Sequence, residues 1–112
     1  MEKNIPTEDQ EQTTLVKWLD LSRLRFCAIP IRAKDPNHRF YNYRMGVRKG
    51  APDLLLITKK GLLFIEMKRI KGGKVSPEQR EWIDALNAIP NVEATVCYGF
   101  EEAKNFISQL LN

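Results

Sequence analysis

Hydrophobic positions recur along this chain in two rhythms. Near the N-terminus, Leu15, Trp18, Leu19 and Ser22 follow three- and four-residue steps, which predict an amphipathic helix from about Glu8 to Ser22. Thr7 with Gln10 three positions later has the form of a capping box, and Glu8, Asp9 and Glu11 load the first turn with negative charge. Arg25 to Ile31 then reads as a short strand, with Pro30 at its end or edge. Two almost continuous apolar runs, Leu54–Ile57 and Leu62–Met67, flank the turn residues Thr58-Lys-Lys-Gly61 and predict a central β-hairpin. Strands of that kind are expected to be covered on both faces, so helices should pack on each side of the sheet. Ser76 caps a second helix with Pro77 at its first position and an apolar stripe of Trp82, Ile83, Leu86 and Ile89. Val92–Tyr98 is β-rich, and Phe100, Ala103, Phe106, Ile107, Leu110 and Leu111 form a last helical stripe. The order is αβββαβα, an α/β fold with a central mixed sheet flanked by helices and no internal repeat.

A chain of 112 residues suits one domain with one core, so 1–112 is read as a single domain. No apolar run reaches the roughly 18 residues of a spanning helix. The N-terminus lacks a secretory apolar stretch. These features point to the cytoplasm and to no membrane partner. Cys27 and Cys97 stand in strand-like runs without a ligand-spaced Cys or His, and are expected to be reduced, buried core thiols. Charge is distributed unevenly. Residues 32–74 hold twelve Lys or Arg against three acids, a net of +9, while the whole chain is only +4. A polyanion would be drawn to this region.

Chemistry enters at Glu66 and Lys68. One residue apart on a strand, they emerge from the same face, and the antiparallel hairpin brings Asp53 at its start beside Glu66 near its end. Two carboxylates at the end of an apolar sheet need a compensating cation, and their hard oxygens suit Mg²⁺ or Mn²⁺. Such an ion, with Lys68 beside it, supports phosphodiester hydrolysis. By spacing alone a solvated ion pair would explain Glu66 and Lys68 equally well. The apolar run around them and the glycine-rich basic segments on both sides of the hairpin favour the site.

Pro52-Asp53, an apolar hairpin and Glu66-Met67-Lys68 resemble the signature of the PD-(D/E)xK nuclease superfamily, whose restriction-endonuclease-like αβββαβ core matches the element order, here with a C-terminal helix added. More narrowly, Gly46-Val-Arg-Lys-Gly-Ala-Pro-Asp53, Phe64-Ile-Glu-Met-Lys68 and Ser76-Pro-Glu-Gln79 resemble the VRR-NUC family, in particular its stand-alone phage and prophage members. The resemblance implies that Asp53 and Glu66 are metal ligands, Lys68 the catalytic lysine and Gln79 an active-site residue. It also implies an acid on the first helix completing the site. The family pattern falls on Glu8, and Glu11 on the same helix face is the rival. Val47-Arg48-Lys49 is the nearest match to the three letters that name the family; a lysine there keeps charge but not the guanidinium fork.

Phosphate contacts are expected from Arg32, Lys34, Arg39, Arg44, Arg48, Lys49, Arg69, Lys71 and Lys74, with Phe40, Tyr41 and Tyr43 as stacking surfaces. His38 completes no ligand set and reads as a loop histidine. No reading helix is evident, so DNA structure rather than sequence would be recognised. The resemblance extends to Holliday-junction resolvases, which implies branched or flapped DNA and a homodimer, working in a bacterial host cell if the chain is of phage origin. The dimer surface would be the last helix or the segment from Tyr41 to Met45. The competing expectation is a non-catalytic nucleic-acid-binding module on the same fold.

Overall fold

The computed structural model describes residues 4–29 and 43–111. Helix α1 (Glu8–Leu21) is followed by strands β1 (Arg25–Ala28), β2 (Leu54–Thr58) and β3 (Gly61–Lys68), helix α2 (Pro77–Asn87), strand β4 (Val92–Tyr98) and helix α3 (Phe100–Leu111). The strands form one sheet in the order β1-β2-β3-β4. The first two pairings are antiparallel, whereas β3 and β4 run parallel, a connection that requires a crossover, which α2 supplies. Among the described residues these elements follow the expected αβββαβα order.

Local chemistry explains the element ends. The capping boxes at Thr7–Gln10 and Ser76–Gln79 are both formed reciprocally, side chain to backbone in each direction. At the hairpin the Thr58 hydroxyl donates to the Gly61 carbonyl, and Gly61 sits at φ 135°, a conformation that favours glycine.

Alternation along the strands divides the sheet. Leu54, Leu56, Leu63, Ile65, Met67 and Cys97 point to one face and form the core with Leu15 and Leu19 of α1 and Ala103 and Ile107 of α3. All are at most 1% exposed, and each of the larger side chains contributes about 1.5–3 kcal/mol by leaving water. The opposite face carries Leu55, Phe64, Glu66 and Lys68 and meets α2. Asn87 at the end of α2 grips β4 from that side, donating to the Ala94 carbonyl and accepting from the Ala94 amide.

Coverage of this second face is incomplete, contrary to the even burial expected of both runs. Ile57 and Leu62 remain 49% and 38% exposed, because α2 packs towards β4 and the site end of the sheet. For the same reason Cys27 is a correction to the expected pair of buried thiols. It lies on the four-residue edge strand opposite Leu55 and is exposed, whereas Cys97 is buried with its thiol pushed up to about 12. Among the described residues no helix is long and apolar enough to cross a membrane.

Candidate active site

The site is assembled by strand register. Leu54 pairs with Ile65, so the next position outward sets Asp53 against Glu66, both directed to the α2 face. Backbone bonds fix Asp53 on two sides: its amide donates to the Ile65 carbonyl at 3.0 Å, and its carbonyl accepts from the Ile29 amide at 2.8 Å. Its carboxylate Oδ2 accepts from the Met67 amide at 2.7 Å. The side chain thus takes the place of a backbone acceptor where β2 begins.

Glu66 is buried, at 3% exposed, and is held from two directions. Gln79 Nε2 donates to Glu66 Oε2 at 3.1 Å, while Lys68 Nζ stands 3.9 Å from the same oxygen. Gln79 has no freedom to turn its amide round, because its Oε1 accepts from the Ser76 amide in the capping box. Gly50 makes this arrangement possible. A side chain there would come within 2.6–2.8 Å of the backbone of Glu78 and Gln79, and its φ of 93° favours glycine, so the loop closes directly on the start of α2.

A third carboxylate arrives from the other layer. Glu8, in the first turn of α1, joins Asp53 and Glu66 so that one oxygen of each lies within 4.8 Å of the others. Burial and the neighbouring Asp53 push the Glu66 carboxyl up to about 9, and Asp53 is itself raised by burial. Desolvated oxygens from separate elements, brought together against their own repulsion, are of the kind that suits a hard divalent cation. The residues present therefore fit a metal ion.

Glu11, the rival for that third position, goes elsewhere. It is buried, its Oε1 accepts from the Phe100 amide at 3.1 Å, and it thereby caps α3. Its Oε2, buried beside Gly99, has no hydrogen-bond partner among the described residues. This role was not read from the sequence, since the cap and the helix it serves are 89 positions apart.

The basic residues separate into groups. Arg32, Lys34, Arg39, His38, Phe40 and Tyr41 lie outside the described residues. Arg48 is engaged by its own loop: its guanidinium donates to the Tyr43 and Val47 carbonyls at 2.7 and 3.2 Å and lies 4.0 Å over the Tyr43 ring. Lys49 pairs with Glu78 at 3.5 Å, and Arg44 is exposed. Arg69, Lys71 and Lys74 stand exposed on the loop that leaves the site between Lys68 and α2.

Comparisons with known proteins bear on the family and the fold. The family model of the VRR-NUC domain matches residues 6–101, a span that contains Glu8, Asp53, Glu66, Lys68 and Gln79. A solved structure described as a VRR_NUC domain protein aligns with a TM-score of 0.77 at 26% identity, over 95% of this chain and 88% of that one. A second, described as a VRR_NUC domain, shares the fold with a TM-score of 0.65 at 19% identity, over 92% of this chain and 97% of that one. No curated protein sequence matches the chain significantly. A match over most of the residues, joined to the restriction-endonuclease-like arrangement of helices and mixed sheet, means that the chain belongs to the VRR-NUC family of nucleases.

Proposed function

We propose that this protein is a Mg²⁺- or Mn²⁺-dependent, structure-specific DNA endonuclease that hydrolyses phosphodiester bonds in branched or flapped DNA, with its site on Asp53, Glu66, Glu8 and Lys68. The observation that carries the proposal is the convergence of three carboxylates within 4.8 Å next to a buried lysine.

In this reading Asp53, Glu66 and Glu8 hold the ion. When bound, it polarises the phosphoryl group and acidifies a water. The residues of the chain do the rest. Asp53 is kept in place by the Met67 amide, so its lone pairs face the cluster without conformational search. Lys68 is only 8% exposed, which keeps its ammonium close to Glu66 and available to orient the attacking water or to stabilise charge on the phosphate. Gln79 acts through Glu66, as a positioning residue, by fixing which carboxylate oxygen points inward. Arg69, Lys71 and Lys74 neutralise phosphates along the exit from the site, with Arg32, Lys34, Arg39, Arg44, Arg48 and Lys49 continuing the basic path. Arg48 adds its charge from a position already fixed by Tyr43.

The chain acts as one domain over 1–112, in the cytoplasm. A homodimer would present two such sites to the two strands of a branched substrate. Tyr43 and Met45, 61% and 66% exposed, offer a more open surface for it than α3, which buries Ala103 and Ile107 in its own core.

The test uses labelled linear, flapped and four-way DNA with Mg²⁺, with Mn²⁺ and with chelator. Cleavage that requires metal, prefers the branched forms and disappears in Asp53→Asn with DNA binding retained is the expected result. DNA binding with no cleavage in either metal would replace the enzyme with a non-catalytic binding module.

A further inference from the structure

Beside the carboxylates, on the same face of the sheet, lies a cavity of about 400 Å³ that the hydrolytic residues do not use. Phe64, Trp82, Leu86 and Arg48 are among its walls, and Ala51 and Pro52 line it next to Asp53 in the chain. None of its described lining residues is acidic. From the register, Phe64 is two residues before Glu66 on one strand, so the aromatic wall lies about 7 Å from the start of the Glu66 side chain. That is the reach of a nucleoside from its own phosphate. We infer that this cavity receives an unpaired nucleobase of the substrate strand, the one attached next to the scissile phosphate, and that it does so without reading the base's identity.

The inference rests on the nuclease reading of Asp53 and Glu66 and adds to it the form of substrate. Aromatic and aliphatic walls accept the π-face of any base. The polar side-chain groups among the named walls are the Arg48 guanidinium and the Trp82 indole N–H, too few to distinguish four hydrogen-bonding edges. Trp82, at the midpoint of α2, is 38% exposed and so is accessible to an incoming ring. A base within continuous duplex is stacked on both neighbours and cannot enter. Entry needs a flap, a splayed junction or an extruded nucleotide. A charged phosphate would gain nothing inside the cavity and stays outside it, towards the cation site and the basic loops.

Substrates differing by a single base test this on the unaltered protein. A flapped duplex is compared with two versions that carry an abasic residue on one side or the other of the mapped cut. One of the two abasic substrates is expected to lose roughly 5- to 150-fold in kcat/KM, the range corresponding to one stacked base. Trp82→Leu should show the same loss on the intact substrate and little further loss on the abasic one. Equal cleavage of all three substrates overturns the inference while leaving the nuclease reading intact. If none is cut, the nuclease reading fails and binding decides the cavity. In a Trp18→Phe background Trp82 is the remaining tryptophan. A short oligothymidylate should then quench its fluorescence, and an abasic backbone of equal length should not. Equal quenching, or none, overturns the inference.

Discussion

Strand β3 carries two different molecules on its two faces. Leu63, Ile65 and Met67 are closed off among hydrocarbon from α1 and α3, while Phe64, Glu66 and Lys68, interleaved with them, face α2. Leu63, Ile65 and Met67 on the first face and Glu66 and Lys68 on the second are removed from water, yet by opposite means. On the first face burial is itself favourable. On the second, Glu66 and Lys68 are 3% and 8% exposed against the cost of desolvating charge, and the structure offsets that cost with a Gln79 amide, an ammonium and a raised carboxyl. A two-residue alternation is thus enough to separate what folds the chain from what the chain does.

Substitutions on either side should break this division unequally. Ile65→Ala leaves a void in the apolar core and is expected to cost about 2–5 kcal/mol in a denaturant titration, while the folded fraction keeps its metal affinity. If calorimetry showed metal affinity collapsing too, the faces would not be independent. Lys68→Ala should lower kcat by on the order of 100- to 1,000-fold. Its effect on Tm should be smaller than that of Ile65→Ala, since Glu66 is already disposed to hold a proton. A protein that keeps full activity without this amine would remove Lys68 from the chemistry.

The third expectation concerns pH and is limited to about 1.4 kcal/mol per pH unit, the value of one proton. The folded carboxyl of Glu66 lies above its ordinary 4.5, at about 9, so the native state retains a proton that the unfolded chain releases. Its contribution is fully present below 4.5 and is lost as pH rises towards 9. In chelator, Glu66→Gln should therefore gain stability relative to the parent as pH rises through that window, and saturating Mn²⁺ should reduce the difference. Parallel Tm–pH curves for the two proteins would contradict the assignment. The smallest effect belongs to Glu11→Ala, about 0.5–2 kcal/mol for the lost cap on α3. Metal binding should be unchanged by it, which would place Glu11 with the fold and Glu8 with the site.

Much of this was legible in the chain because it is written in local spacing. The capping boxes, the Thr58–Gly61 turn and the pairing of Asp53 with Glu66 each follow from residues close together or from simple strand alternation. Long-range partners were not legible. Nothing near Glu11 announces Phe100, so spacing alone leaves Glu11 a rival to Glu8, and only the placement of α3 shows what Glu11 holds. The charge of Arg48 is plain in the chain, whereas its seat over the Tyr43 ring depends on how a loop folds back. Cys27 shares the apolar surroundings of a buried residue, and its exposure follows from where α2 ends its coverage of the sheet.

Gln79 serves two masters with one amide: its oxygen starts a helix and its nitrogen steadies a ligand of the candidate metal site. Fraying of a single turn at Ser76 would therefore release Glu66 without disturbing the hydrocarbon interior. Heating should silence such an enzyme some degrees before its ellipticity collapses. The lost activity should return on cooling as quickly as one helical turn can rewind.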